Sequence, residues 1–181
     1  MEHLFLPSML VHDAYLALIV WSILFPQRRI WPPLRPGSWK YGVSWGLFFL
    51  AVGSDLVLMV QGWGSWLPLG PERYALGAPF IAVGAIFLLW GWRTLGTART
   101  SGVAGAFVRE GPYRLTRNPQ YVGDIFLLLG LIIVSDSFEA GAGLALLILA
   151  FLLLPLAEEP WLEEAYGERY AAYKATTPRF L

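Results

Sequence analysis

The sequence predicts an all-α polytopic membrane protein, with about five transmembrane helices followed by a C-terminal amphipathic interfacial helix. Three observations carry this. Hydrophobic residues make up 56% of the 181-residue chain and charged residues only 14%, against roughly a quarter charged in an ordinary soluble domain. The apolar residues gather into five runs near the length of a bilayer crossing, about 20 residues at helical rise. Dense polar chemistry then collects at the edges of those runs, where it is costly unless it has a use.

The first run extends from Met9 to Phe25. Glu2 precedes it without a basic cluster, so it reads as a retained helix rather than a cleavable signal. Pro26, Pro32, Pro33 and Pro36 interrupt the following loop, because proline cannot continue a helix. The second and third runs span Tyr41 to Gly62 and Tyr74 to Gly96. The fourth, Pro119 to Val134, is short and carries Asp124, as suits a tilted helix or one packed inside protein. Ser135 to Glu139 forms a polar turn, which makes the fourth run a hairpin with the fifth, Ala140 to Ala157. Pro160 then reads as the first residue of a new helix. Trp161, Leu162, Ala165, Tyr166, Tyr170 and Tyr173 recur in it at helical spacing, away from Glu163, Glu164, Glu168 and Lys174. Such an aromatic face suits the headgroup zone. No repeat or low-complexity stretch appears, and residues 1–181 read as a single integral-membrane domain.

Charge sets the expected orientation. Arg28, Arg29, Arg35 and Lys40 lie in the first loop, Arg93, Arg99, Arg109, Arg114 and Arg117 around the third, and Arg169, Lys174 and Arg179 in the tail. Only Arg73 belongs to the alternate set. Basic residues favour the cytoplasmic side, so the N-terminus is expected outside, the C-terminus inside, and the number of crossings odd. The implied setting is a prokaryotic inner membrane. A net charge of zero argues against a nucleic-acid partner, and the absence of cysteine excludes disulfides, thiolate metal sites and cysteine nucleophiles. No metal site is expected.

The polar cluster richest in chemistry is Gly111-Pro112-Tyr113-Arg114-Leu115-Thr116-Arg117-Asn118-Pro119-Gln120-Tyr121, answered some forty residues later by Glu158-Glu159. Asn118-Pro119 has the chemistry of a helix start, with Asn as N-cap and Pro at the first helical position. A helix N-terminus also attracts anions, and Arg117 beside it adds a carboxylate or phosphate binder. Glu158 and Glu159 suit either a solvated helix start or a grip on an ammonium, a ribose hydroxyl pair or a sulfonium. Asp55 and Asp124, inside the second and fourth runs, either mark an interior cavity or bond to a neighbouring helix.

Leu95-Gly96, Gly111-Pro112-Tyr113-Arg114, Arg117-Asn118-Pro119-Gln120-Tyr121, Gly123, Glu158-Glu159, Ala165-Tyr166-Gly167, Tyr170, Tyr173 and Pro178-Arg179, in that order and spacing, resemble the isoprenylcysteine carboxyl methyltransferase family. More broadly they are similar to the small integral-membrane methyltransferases, which include the phosphatidylethanolamine N-methyltransferases. The resemblance covers roughly residues 91–181; the first two runs resemble nothing specific. It implies a cytoplasm-facing S-adenosylmethionine pocket lined by Gly111, Tyr113, Arg117, Asn118, Pro119, Tyr121, Glu158 and Glu159, and a lipid or lipid-modified acceptor. Asn118 stands where family members commonly carry His, so a positional role survives and a titrating base does not. Gly91-Trp92-Arg93 and Gly96 are the nearest equivalents of the glycine motif of the lipid N-methyltransferases.

Arg117 and Glu159 are the candidate catalytic residues. Arg117 or Arg179 would position a carboxylate acceptor, Glu159 would deprotonate an amine, and Tyr121, Trp92 or Tyr166 would offer an aromatic face to the sulfonium. Arg179, Asp124 and Asp55 are the candidate acceptor-binding residues. Carboxylate, amine, thiol and hydroxyl acceptors all remain open, as does the oligomeric state. Two other functions fit the class: a sterol-reductase-like NADPH oxidoreductase and a non-enzymatic membrane scaffold. Transport is disfavoured, since the runs lack paired broken helices in two similar halves.

Overall fold

Residues 2–67 and 69–181 are described in a computed structural model, and they form helices joined by short loops. The helices are α1 (Glu2–Leu24), α2 (Trp39–Gln61), α3 (Glu72–Leu95), the single-turn α4 (Thr97–Thr100), α5 (Pro119–Ser135), α6 (Phe138–Tyr166) and α7 (Glu168–Thr176). Two 3₁₀ turns, Pro26–Arg28 and Gly111–Arg114, sit in the first and third loops. An isolated parallel bridge between Leu34 and Val103 ties those loops together. Within α1 (from His3), α2, α3 and α6 lie stretches long and apolar enough to cross a membrane, whereas α5 is shorter at 17 residues.

The short α5 lies antiparallel against α3, and glycines explain how closely. Gly77, Gly84 and Gly91 recur every seven residues on α3 and face Gly130, Gly123 and Gln120 of α5. A Cβ on Gly84 would sit 2.5 Å from the backbone nitrogen of Leu127, and one on Gly123 would sit 2.7 Å from that of Leu88. The two backbones therefore touch, as small residues allow between helices in lipid. The pairing runs from Pro119 beside Gly91 to Val134 beside Gly77, so α5 follows α3 over most of its length.

The end of the bundle far from the motif is closed around Asp136, whose left-handed backbone (φ 48°) ends α5. Its carbonyl accepts the amides of Ser65 and Trp66 at 3.0 Å, and its carboxylate accepts that of Leu67 at 2.9 Å. The same carboxylate pairs with Arg73 at 3.4 Å, and that guanidinium lies over the rings of Trp63 and Tyr74. The one basic residue outside the charge-rich set thus has a structural partner. Asp136→Asn keeps the acceptor for Leu67 but removes the countercharge of a largely buried arginine. It is expected to lower the unfolding temperature in detergent by several degrees without changing ligand affinity at the opposite end.

The core lies among α1, α2 and α6, where Tyr15, Leu18 and Ile19 meet Ala51, Leu58, Leu147, Phe151 and Leu154. One polar seam crosses it. Ser8 and Ser54 hydroxyls lie 2.9 Å apart, His12 Nδ1 lies 2.8 Å from the Ser8 carbonyl, and His12 Nε2 lies 3.0 Å from Asp55 Oδ2. Gly143 of α6 leaves the space that Asp55 fills.

The C-terminal region differs from expectation. Pro160 does not begin a helix; α6 runs for 29 residues through both Pro155 and Pro160. Each proline removes a single N–H, a loss that neighbouring groups absorb in apolar helices. The break comes at Gly167, whose φ of 52° and ψ of −130° suit glycine. The expected amphipathic helix is thereby divided. Trp161 and Tyr166 extend α6, and Tyr170 and Tyr173 stand on the nine-residue α7, where both are buried against protein rather than offered to headgroups.

Candidate functional site

The motif is built on the 3₁₀ turn that follows Gly111. That glycine has φ 56°, and a Cβ there would lie 2.9 Å from Thr94 Oγ1 and 3.0 Å from Trp90 Nε1, so the chain turns tightly against α3. Beyond it the motif pairs with the C-terminal tail. The amide of Arg117 donates to the Pro178 carbonyl at 2.9 Å, and Thr116 Oγ1 and Asn118 Nδ2 both donate to the Arg179 carbonyl, at 2.9 and 3.0 Å. Asn118 occupies the N-cap position of α5 without capping it through its side chain. Its side-chain Nδ2 instead donates to the tail carbonyl, and its backbone N–H donates to Thr116 Oγ1.

Glu158 and Glu159 do not act as a pair. Neighbouring residues on a helix point about 100° apart, and here the two face different environments. Glu158 Oε1 accepts from Trp31 Nε1 at 2.7 Å and from the Tyr121 hydroxyl. Glu159 turns to the tail, where Arg179 grips both its oxygens at 2.8 Å, Lys174 lies at 3.4 Å and Arg117 Nη2 at 3.2 Å. Hydrogen bonding to Glu159 raises the Arg179 pKa, and Lys174 is raised chiefly by its hydrogen bond to Glu163.

A cavity of about 140 Å³ opens beside the motif. Of the expected cofactor-site residues, Tyr113, Arg117, Asn118, Tyr121 and Glu158 line it, and Gly111, Pro119 and Glu159 do not. Pro119 is buried against α3 near Gly91. The wall is completed by residues the sequence reading left out of the pocket, namely Arg99, Phe107, Gln120, Trp161, Tyr170 and Tyr173, together with Tyr166. Burial pushes the phenols of Tyr113 and Tyr170 well up and that of Tyr173 up to about 12. They therefore stay protonated, and the Tyr173 hydroxyl donates to the Tyr113 carbonyl at 2.6 Å.

Arg117 is the least satisfied group in the wall. Its side chain is only 8% exposed, Nη2 reaches Glu159, and Nε and Nη1 are enclosed with no hydrogen-bond acceptor among the described residues. Buried polar groups are ordinarily bonded. A buried guanidinium short of acceptors fits a ligand that carries a carboxylate.

A second cavity of about 340 Å³ lies deeper, among α1, α2, α3, α5 and α6. Tyr15, Trp31, Trp45, Phe48, Trp92 and Phe151 make it aromatic, and Asp124 is its one ionisable group apart from tyrosines. No lysine or arginine lines it. Thr100, Gln120 and Tyr121 line both cavities, so the two meet at the start of α5. Of the residues expected to bind the acceptor, Asp124 lines this space. Asp55 is held in the His12 seam and Arg179 in the tail cluster, and neither lines either of these two cavities. Trp31 was not legible as a site residue, since it lies 127 positions from its partner Glu158 with no spacing to link them.

Comparison with known families decides the affiliation. The family described as phospholipid methyltransferase matches residues 72–169, just over half the chain. The chain belongs to the phospholipid methyltransferase family. The family region begins with α3 and takes in the motif, α5 and α6, so both cavities have walls inside it. It leaves out α1, α2 and Arg179. The chain is also 30% identical over 151 residues to the cobalt-zinc-cadmium resistance protein CzcN of Cupriavidus metallidurans, an alignment covering 81% of this chain and 62% of that protein. The chain thus spans less than two thirds of that relative's length. No solved structure matches.

Proposed function

We propose that the protein is an integral-membrane methyltransferase that uses S-adenosylmethionine and acts on an amphipathic acceptor. One observation carries the reading: a cavity lined by an under-bonded, buried Arg117 meets a second, aromatic cavity between helices at Tyr121. S-adenosylmethionine supplies a methyl group on a sulfonium, open to in-line displacement. Arg117 would hold the cofactor's carboxylate, and the aromatic wall of Phe107, Tyr166 and Tyr170 would shelter the remainder. Tyr121, fixed by its hydrogen bond to Glu158, stands at the junction and sets how the two ligands approach. Orientation and exclusion of water are the main contributions such a reaction asks of a protein.

The deeper cavity suits the acceptor. A carboxylate there would lie near Asp124 without a countercharge, an arrangement that burial makes expensive. A lipid head group able to donate a hydrogen bond is favoured over an isoprenylcysteine-like carboxylate, and Asp124 is the group placed to accept its proton. Glu159, saturated by three cations, is poorly suited to the base role expected of it. On this reading the motif end faces the cytoplasm, in keeping with the charge asymmetry, and α5 crosses beside α3 as the fourth of five spans.

Labelled methyl transfer tests this. Purified protein in lipid nanodiscs is given methyl-labelled S-adenosylmethionine and extracted membrane lipids. Label should enter the organic phase, and mild base should not release it as volatile methanol, as it would from a methyl ester. Folded protein that transfers no label to any lipid fraction would overturn the proposal.

A further inference from the structure

The under-bonded state of Arg117 needs an explanation, because a carboxylate lies within its reach. Glu159 is itself only 8% exposed in its side chain, and a guanidinium facing such a carboxylate ordinarily takes it through two parallel hydrogen bonds. Here the two-pronged grip belongs to Arg179, through Nε to Oε1 and Nη2 to Oε2, both at 2.8 Å. Arg117 is left with one contact to Glu159, of 3.2 Å.

We infer that Arg179 is a positioning residue for the cofactor site: by occupying both oxygens of Glu159, it keeps Arg117 out of a two-pronged pair with that carboxylate and leaves its Nε and Nη1 hydrogens available to a ligand carboxylate. The inference rests on the proposed cofactor and goes beyond it, since Arg179 lines neither cavity. Three further contacts support it. The backbone of the same tail residue accepts from Thr116 and Asn118, and Pro178 accepts the Arg117 amide, so the tail is fastened to the motif. Lys174 cannot take over the task. It reaches only Oε2 of Glu159, at 3.4 Å, and its stronger contact is Glu163 at 2.7 Å.

Without Arg179, Glu159 draws Arg117 into a two-pronged pair and competes with the ligand. The competition disappears if Glu159 is made neutral, because an amide still accepts one bond from Arg117 without capturing it. This separates positioning from simple docking of the tail. Calorimetric titration with S-adenosylhomocysteine is carried out on wild type, Arg179→Ala, and the Arg179→Ala/Glu159→Gln double variant, with thermal unfolding of each ligand-free protein alongside. Arg179→Ala should weaken affinity about tenfold or more, and the double variant should recover to within about threefold of wild type, a coupling of the size double-mutant cycles detect.

Unchanged affinity in Arg179→Ala overturns the inference, as does a double variant no tighter than the single one. If Arg179→Ala does not fold, Arg179→Lys, which keeps the charge but loses the fork, is compared with its own Glu159→Gln double under the same criteria. Wild-type protein that binds no S-adenosylhomocysteine would instead count against the cofactor itself.

Discussion

Arg117→Ala should lower affinity for S-adenosylhomocysteine by about two orders of magnitude or more, the scale of roughly 2–5 kcal/mol lost when one partner of a buried charged contact is truncated. The free protein should keep nearly its wild-type unfolding temperature. Loss of a buried charge normally destabilises the fold by leaving its partner alone, but Glu159 keeps Arg179 on both oxygens and Lys174 at 3.4 Å. Binding and stability therefore separate at this position. Arg117→Lys preserves the charge without the planar fork and should fall between wild type and Ala. Calorimetry and thermal unfolding on the same detergent preparations check both parts. Equal affinity in wild type and Arg117→Ala would mean that the enclosed nitrogens serve no ligand.

The largest effect on the fold is expected at the α3–α5 contact. Gly84→Ala places a methyl 2.5 Å from Leu127 N and 2.6 Å from Gly123 O, and Gly123→Ala places one 2.7 Å from Leu88 N. Those neighbours are backbone atoms, which cannot rotate away, so the helices must separate. Overpacking of this kind costs about 1–3 kcal/mol, sometimes more, and the upper end is expected because all the Gly pairs lie on one seam. Gly46→Ala is the matched control. Nothing lies within 4 Å of a Cβ there, and alanine is favoured over glycine inside a helix by roughly 0.5–1 kcal/mol. Thermal unfolding should show a large fall for the first two variants and none for the third. Separation of α5 from α3 would also shift Gln120 and Tyr121, which line both cavities, so ligand affinity should fall with stability.

Much of the architecture was legible because long apolar runs report membrane helices directly, and the polar turn at Ser135 to Glu139 divides α5 from α6 as expected. The α3–α5 contact was not foreseen, although Gly77, Gly84 and Gly91 recur every seven residues and Gly123 and Gly130 do likewise. Local signals misled where tertiary context competed. Pro160 looked like a helix start, yet an established helix loses only one hydrogen bond to it. Asn118 looked like a cap, and it does hold the N-cap position, yet its side chain makes no cap bond and its Nδ2 donates to the tail carbonyl of Arg179. At the site, the motif residues Tyr113, Arg117, Asn118 and Tyr121 do converge, because they sit on one loop and the helix it starts. The adjacent glutamates are split by helical geometry, which a linear motif hides. The contribution of Trp31 and the restraint that Arg179 places on Glu159 depend on distant segments meeting, and no spacing rule carries that information.

On the proposed function, the cavity beside Arg117 holds S-adenosylmethionine. The most direct test is parallel titration of the folded wild-type protein with S-adenosylhomocysteine and with NADPH. Saturable binding of S-adenosylhomocysteine and none of NADPH is the result expected; binding of NADPH alone, or of neither ligand, would contradict the account.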